Sequence, residues 1–311
     1  MFWKDEISNK IGHQKRDKKE NRKISVGNEN GSKELYVVFD KMRIQNGEKR
    51  MRIVIKVGTS TLTHATGNLN IRHVEALCKV ISDLKNAGNE IILVSSGAIG
   101  MGIGKLSLRE RPHDMPTKQA AAAVGQCELM YIYDKQFSEY GHIVGQILVT
   151  GSDLKHEERY YNFRNTLNRL IEMGALPIIN ENDTVATEEI SVGDNDTLGA
   201  IVAVGAEADL LILLSDIEGL YTADPHTSSE AQLIPCVTEM TDEIFALAGG
   251  AGSELGTGGM QTKLKAGAIC MKNGIDMIIA SGSNPDLLYD IAEGKPVGTK
   301  FCGREKIHDN G

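Results

Sequence analysis

One lysine stands at the end of an apolar strand-like run, and another follows a glycine-rich loop. Lys56 lies in the strand-like run RIVIKV, and after Val57 comes Gly58-Thr59-Ser60-Thr61, a glycine turn dense with hydroxyls. Lys263 closes the glycine-rich stretch LGTGGMQTK, 255–263, in the first turn of a helical segment. Removing a charge from water without compensation is costly, so a lysine at a strand's carboxyl end is expected to face something anionic. Two further segments suit such a ligand. SSGAIGMGIG, 95–104, combines hydroxyls with backbone N–H groups that could cradle an anion. NENDTV and SVGDND, within 180–196, gather Asn and Asp around Gly193. Gly256, Gly258 and Gly259 let a backbone approach a ligand closely.

The elements that must position these residues follow an alternating pattern. MRIVIKV reads as a buried strand. NIRHVEALCKVISDLKNAG then reads as a helix, with Ile71, Val74, Leu77, Cys78, Ile81 and Leu84 at helical spacing and Gly88 as its stop. EIILVSSG is the next strand, followed by a helix over 118–140, the strand HIVGQILVT and a long helix over 154–173. ALPIIN is a strand, NDTLGAIVAVGAEA a helix and DLLILLSD another strand. A helix over 261–272, the strand IDMIIASG and a short helix near Asp286 complete the series. Strands apolar throughout, alternating with helices, predict a parallel sheet covered on both faces. Ligands of such sheets bind outside the carboxyl ends of the strands, which is where the polar, glycine-rich segments fall.

Each segment also has a plain structural reading. Lys56 could snorkel from a strand end, SSGAIGMGIG could be a mobile loop, GDND is an ordinary turn sequence, and GTGGM could be a flexible linker. Their conjunction on one sheet edge favours a site. Familiar phosphate motifs are missing. GMGIGKL falls one residue short of a Walker A loop and has Leu106 where the hydroxyl belongs. No GxGxxG follows a strand, and no HExxH, Gly-x-Ser-x-Gly or Cys/His ligand spacing occurs; the eight histidines are scattered.

Composition narrows the class. The 311 residues are 41% hydrophobic and 24% charged, as in a soluble globular chain, and no apolar run reaches the roughly 18 residues of a membrane span. Five dispersed cysteines match neither a disulfide framework nor a CxxC metal site, and the charged opening MFWKDEISNK is unlike a secretory signal, which predicts a cytoplasmic, reducing location. Residues 1–50 hold 13 Lys and Arg against 8 Asp and Glu, net +5; residues 51–311 hold 21 against 34, net −13. An acidic body argues against nucleic acid as partner. The head mixes both signs with few apolar residues and reads as a largely disordered extension, with only ELYVVFDKM resembling a strand.

Taken together, the runs KVGTSTLT, SSGAI, QILVT, INENDTVA, VGDND, LLSDIEGLYTADP and GTGGMQTK resemble, in order, the glutamate 5-kinases of the amino acid kinase superfamily. The resemblance covers 51–303, leaving 1–50 as the extension and 304–311 as a short tail. It implies a three-layer α-β-α sandwich around a central, mainly parallel sheet. It also implies ATP-dependent phosphorylation of the L-glutamate side-chain carboxylate, the first step toward proline, with Mg²⁺ on the ATP phosphates rather than in a protein cage. The acceptor carboxylate is ionised at neutral pH, so no general base is needed; the demand is electrostatic.

Carried over by position, Lys56 and Lys263 would stabilise the transferred phosphoryl group and Asp196 would orient both. Ser96, Asp183 and Asn195 match glutamate-binding positions. Lys56, Ser215, Asp216, Thr257, Gly258, Gly259, Met260, Gln261, Thr262 and Lys263 match the ATP-binding ones, with Ser215 where Thr is common. The resemblance further implies proline as feedback inhibitor, a separate glutamyl phosphate reductase, and a homo-oligomer. Many members carry a C-terminal PUA domain; the expectation here is a member without it. Other readings are an aspartate or N-acetylglutamate kinase, which the run INENDTVATEEISVGDND disfavours, or a silent metabolite-binding module, which two phosphoryl-facing lysines disfavour.

Overall fold

The computed structural model describes residues 44–45, 48–64, 68–186, 195–225, 227–249 and 259–303. ELYVVFDKM lies outside the described residues. The chain divides into two compact units, 1–49 and 50–311. In the first, Ile44–Gln45 pairs antiparallel with Glu48–Lys49.

The second unit alternates strands and helices. β1 (Arg52–Val57) leads through the short α1 (Thr59–Leu62) to α2 (Ile71–Asn86), β2 (Glu90–Ser95), α3 (Ala98–Lys105) and α4 (Met115–Ser138). β3 (Val144–Val149), α5 (Gly151–Lys155), α6 (Glu157–Glu172), β4 (Leu176–Glu181), α7 (Asn195–Gly205) and β5 (Leu210–Ser215) follow. β6 (Cys236–Val237), α8 (Asp242–Ala246), α9 (Met260–Lys272), β7 (Asp276–Ser281), α10 (Leu287–Ala292) and β8 (Thr299–Phe301) complete the described elements. The sheet order is β3-β4-β2-β1-β5-β7-β8-β6, and β3 through β7 in that order pair in parallel. β8 runs antiparallel to β7, and β6 parallel to β8.

Both faces of the sheet are covered, which is why its central strands are apolar over most of their length. On one face Val54, Leu211 and Ile279 pack with Leu167, Leu198, Val202 and Leu264 of α6, α7 and α9. On the other, Ile53, Ile55 and Ile212 pack with Leu77, Ile81, Leu129 and Leu288 of α2, α4 and α10. The architecture is the three-layer α-β-α sandwich. Alternation along β1 puts Lys56 on the face of Val54, under α7.

Several elements differ from the sequence pattern, each for a local reason. α4 starts at Met115 because Asp114 accepts a hydrogen bond from the Thr117 N–H at 2.9 Å and Pro116 sits in the first turn. The segment expected over 154–173 divides at His156, whose backbone (φ −90°, ψ 118°) is extended. SSGAIGMGIG is not a loop beyond Gly97; its glycines lie in α3. A Cβ on Gly102 would fall 1.8 Å from the Ala121 carbonyl oxygen, and one on Gly125 1.8 Å from that of Ala98. Glycine there lets α3 and α4 cross backbone to backbone. The edge strands β6 and β8 had no readable signal. Among the described residues no helix is long and apolar enough to cross a membrane.

Candidate active site

The carboxyl ends of β2, β1 and β5 face the first turns of α7 and α9. Lys56 and Lys263 are 8% and 5% exposed, and Asp196, in the first turn of α7, is fully buried. One carboxylate holds both cations: Lys56 Nζ lies 2.6 Å from Asp196 Oδ1, and Lys263 Nζ lies 3.1 Å from Oδ2. The Lys56 contact is the shorter of the two. Burial pushes the Asp196 carboxyl up, but the charges of Lys56 and Lys263 outweigh it and hold the group below its ordinary value. Gly199, one turn along α7, lies against the lysine stem: a Cβ there would make ordinary van der Waals contact with Lys56 Cβ at 3.5 Å. Thr262 Oγ1 is shared between Asp196 Oδ2 at 2.9 Å and the Gly259 carbonyl at 2.7 Å, fixing the entry of α9 against α7.

On the β2–β4 side, neutral amides form a chain. Asn195, the first residue of α7, places Nδ2 2.6 Å from Ser96 Oγ, 2.9 Å from the Ser95 carbonyl and 3.1 Å from Asn180 Oδ1. Asn180 in turn donates to Gln126 Oε1 at 2.9 Å, and its Oδ1 also accepts from the Glu181 N–H at 2.9 Å. Gly97 (φ +93°) turns the chain sharply from β2 into α3 beside Ser96. Asp183, in the turn after β4, lines a small cavity with Ala98, Gln126, Leu148 and Glu181. Burial, with the nearby Glu181 charge second, pushes its carboxyl up to about 6.

On the β5–β7 side, Ser215 Oγ donates to Asp216 Oδ1 at 3.0 Å, and the Ser215 carbonyl accepts from the Gly282 N–H at 2.6 Å. A Cβ on Gly282 would meet Thr61 Oγ1 at 2.8 Å, so the ends of β1, β5 and β7 converge.

The structure thus brings Lys56, Asp196, Lys263 and Thr262 together, and separately Ser96 and Asn195, with Asp183 joined to the latter through the cavity wall at Gln126. Gly259, Met260 and Gln261 open α9. Thr257, Gly258 and 187–194 lie outside the described residues. Asn180, Gln126 and Glu181 join this cluster; the sequence reading flagged the segment holding Asn180 and Glu181 but gave neither a role, and it did not flag Gln126. The apolar-to-polar change at the end of ALPIIN marked Asn180 and Glu181; Gln126, inside a helix, carried no mark.

With this geometry in view, comparisons with known proteins are specific. The model of the amino acid kinase family matches residues 51–281. A glutamate 5-kinase of Moorella thermoacetica is 54% identical over 254 residues, 82% of this chain and 67% of the relative. One from Clostridium perfringens is 51% identical over 258 residues, 82% and 96% of the two chains. Among solved structures, a carbamate kinase from Giardia lamblia bound to AMP-PNP superposes with a TM-score of 0.60 at 16% identity, over 81% of this chain and 98% of that one. A UMP kinase from Ureaplasma parvum gives 0.56 at 16% identity, over 82% and 100%. At such identity these two bear on the fold alone.

Proposed function

The chain belongs to the amino acid kinase family, grouping within it with the glutamate 5-kinases, and from that premise we propose that it transfers the γ-phosphoryl group of ATP to the side-chain carboxylate of L-glutamate. The observation that carries the reading is one buried carboxylate, Asp196, holding Lys56 and Lys263 at the strand edge. β1, which bears Lys56, lies between β2, which ends at the Ser96–Asn195 side, and β5, which ends at Ser215.

The acceptor oxygen is already ionised near neutral pH, since a free Glu side chain has a pKa of about 4.3. The barrier lies in bringing two anions together and in the charge spread over the transferring phosphoryl oxygens. Lys56 and Lys263 approach that group from a strand end and a helix start, and Asp196 holds both ammonium groups so that little reorganisation remains at transfer. Asn195 and Ser96 orient glutamate by hydrogen bonds, and Asp183, backed by Glu181, accepts its α-ammonium. Ser215, Asp216 and 257–263 receive the nucleotide.

Among the described residues no three His, Cys, Asp or Glu side chains converge as a metal cage. Mg²⁺ is proposed to be carried by the nucleotide's own phosphates and by water. When bound, the ion would neutralise charge on the phosphates that Lys56 and Lys263 face.

Residues 51–303 are proposed as the catalytic domain. Proline, which shares glutamate's α-carboxylate and ammonium, is proposed to compete at Asp183. The product, an acyl phosphate, requires a reductase to consume it, and a homo-oligomer is the proposed assembly. The test is purified protein with ATP, Mg²⁺ and glutamate, aspartate or N-acetylglutamate, trapping acyl phosphate with hydroxylamine. Glutamate alone should yield hydroxamate. Hydroxamate from another acid, or from none, would overturn the reading.

A further inference from the structure

The far edge of the sheet carries two cysteines that the chemistry above does not use. Cys236 opens β6 and pairs in register with Lys300 of β8. Cys302 follows β8 and donates its backbone N–H to the Val237 carbonyl at 2.9 Å. Residues two apart on a strand share a face, so Cys302 lies on the same face as Lys300 and Cys236. The two sulfurs are 3.0 Å apart although 66 residues separate them in sequence. A disulfide has an S–S length of about 2.05 Å, so closure needs an approach of only about 1 Å. Cys236 is exposed and Cys302 half-buried, so a small oxidant reaches the pair.

We propose that Cys236 and Cys302 form a dithiol that closes into an intrachain disulfide, an oxidative modification site stapling β6 to the end of β8. The oxidant is a low-molecular-weight disulfide. The exposed Cys236 thiolate attacks one of its sulfurs and releases one small thiol, leaving a mixed disulfide. The Cys302 thiolate then attacks Sγ of Cys236 and releases the second. Two protein thiols lose two protons and two electrons, and the small disulfide is reduced to two thiols.

The surroundings set the rate. Burial, followed by the hydrogen bond to Cys236, pushes the Cys302 thiol up to about 11, while Lys300, itself paired with Asp276 at 2.7 Å, opposes the rise. A thiol so protonated at neutral pH attacks slowly. The pair is therefore a slow staple, not a fast peroxide sensor. The closed loop contains α9 and β7, so the bond restrains in the unfolded chain the segment that carries Lys263.

Cys78 and Cys270 are buried, whereas Cys127 is exposed and competes for oxidant. The experiment therefore uses the full chain carrying Cys127→Ser, incubated with excess oxidised or reduced glutathione, denatured and alkylated, then mapped by mass spectrometry. The expected result is a protein alkylated on Cys78 and Cys270 alone, with the Cys236 and Cys302 peptides linked. Its Tm should exceed that of the reduced form by about 5–15 °C, reversibly with dithiothreitol. With Cys302→Ser added, a single glutathione should remain on Cys236 and Tm should not rise. A glutathione on each cysteine, or both thiols still free, would overturn the site. A linked pair with unchanged Tm would overturn the staple.

Discussion

The two sides of the sheet's carboxyl edge hold their functional groups by opposite means. At β1, α7 and α9 the device is charge: two ammonium groups on one carboxylate, all nearly excluded from water. At β2 and β4 it is a chain of neutral amides, Asn195 to Asn180 to Gln126. Charge would suit the proposed place of phosphoryl transfer, because it acts at full strength only when desolvated and preorganised. Neutral amides suit recognition, because they fix direction without altering the field at the reacting atoms. The difference also sets what each side tolerates. Deleting one partner of a buried ion pair costs about 3–5 kcal/mol, whereas an unmade amide hydrogen bond costs about 1–3 kcal/mol.

The largest effects are therefore expected at the lysines. Lys56→Ala and Lys263→Ala should each lower kcat by about 10²–10³-fold or more, as removal of a preorganised stabilising group does. Each should also lower Tm by about 6–15 °C, since Asp196 loses half its compensation. Steady-state kinetics well below the new Tm separates the two effects. A kcat within twofold of the parent protein in either variant would break the assignment of charge to catalysis.

Next comes the junction of the two devices, Asp183, a carboxylate on the amide side. A charge-assisted hydrogen bond to the substrate ammonium contributes about 1.5–3 kcal/mol, so Asp183→Asn should raise the glutamate KM at least about tenfold. The ATP KM should hold. Weakened ATP with normal glutamate would place Asp183 on the nucleotide side.

Much of this was legible in the residues, unevenly. Lys56 stands out because a lysine at the end of an apolar strand needs a reason, and Lys263 because it follows a glycine-rich loop. Asp196 and Asn195, in a run that reads as an ordinary turn, took their roles from the family resemblance alone. The central strands were readable because burial on both faces leaves few polar positions before the site itself. α3 was not: three glycines in eight residues read as a loop, and only the crossing with Gly125 explains them. Gln126 was hidden for another reason. A polar residue on a helix ordinarily faces water, and its partner Asn180 is fifty-four residues away. The Cys236–Cys302 contact depends on pairing of short edge strands, which periodicity does not report.

A pH profile sharpens the comparison at about the same tenfold scale. The Asp183 carboxyl is pushed up to about 6 by burial and by Glu181. Only its ionised form accepts from an ammonium, so between pH 7 and pH 5 kcat/KM for glutamate should fall about tenfold, inflecting near 6. Asp183→Asn should be flat through that window. Stability has the opposite sign. The folded carboxyl keeps a proton that the unfolded one releases above its ordinary 3.8. This group therefore favours the fold at low pH and loses that contribution as pH rises from about 4 to 6. A parent profile without the inflection would remove Asp183 from the binding step.

The smallest effect tests whether the amide chain acts through orientation alone. Gln126 Oε1 accepts from Asn180 Nδ2, and Asn180 Oδ1 is one of three acceptors around Asn195 Nδ2. Gln126→Leu keeps bulk but removes the acceptor, leaving a buried N–H unmade and freeing Asn180 to turn. Asn195 would then keep Ser96 and the Ser95 carbonyl but lose its third restraint. The glutamate KM should rise about 3–10-fold, equivalent to about 0.7–1.4 kcal/mol, with kcat and the ATP KM within twofold. Gln126→Glu retains an acceptor oxygen at that point and should recover most of the affinity, which a merely space-filling role would not require. If Gln126→Leu instead lowered kcat as far as the lysine variants do, the amide chain would be shaping the charged side as well. The two devices would then be one.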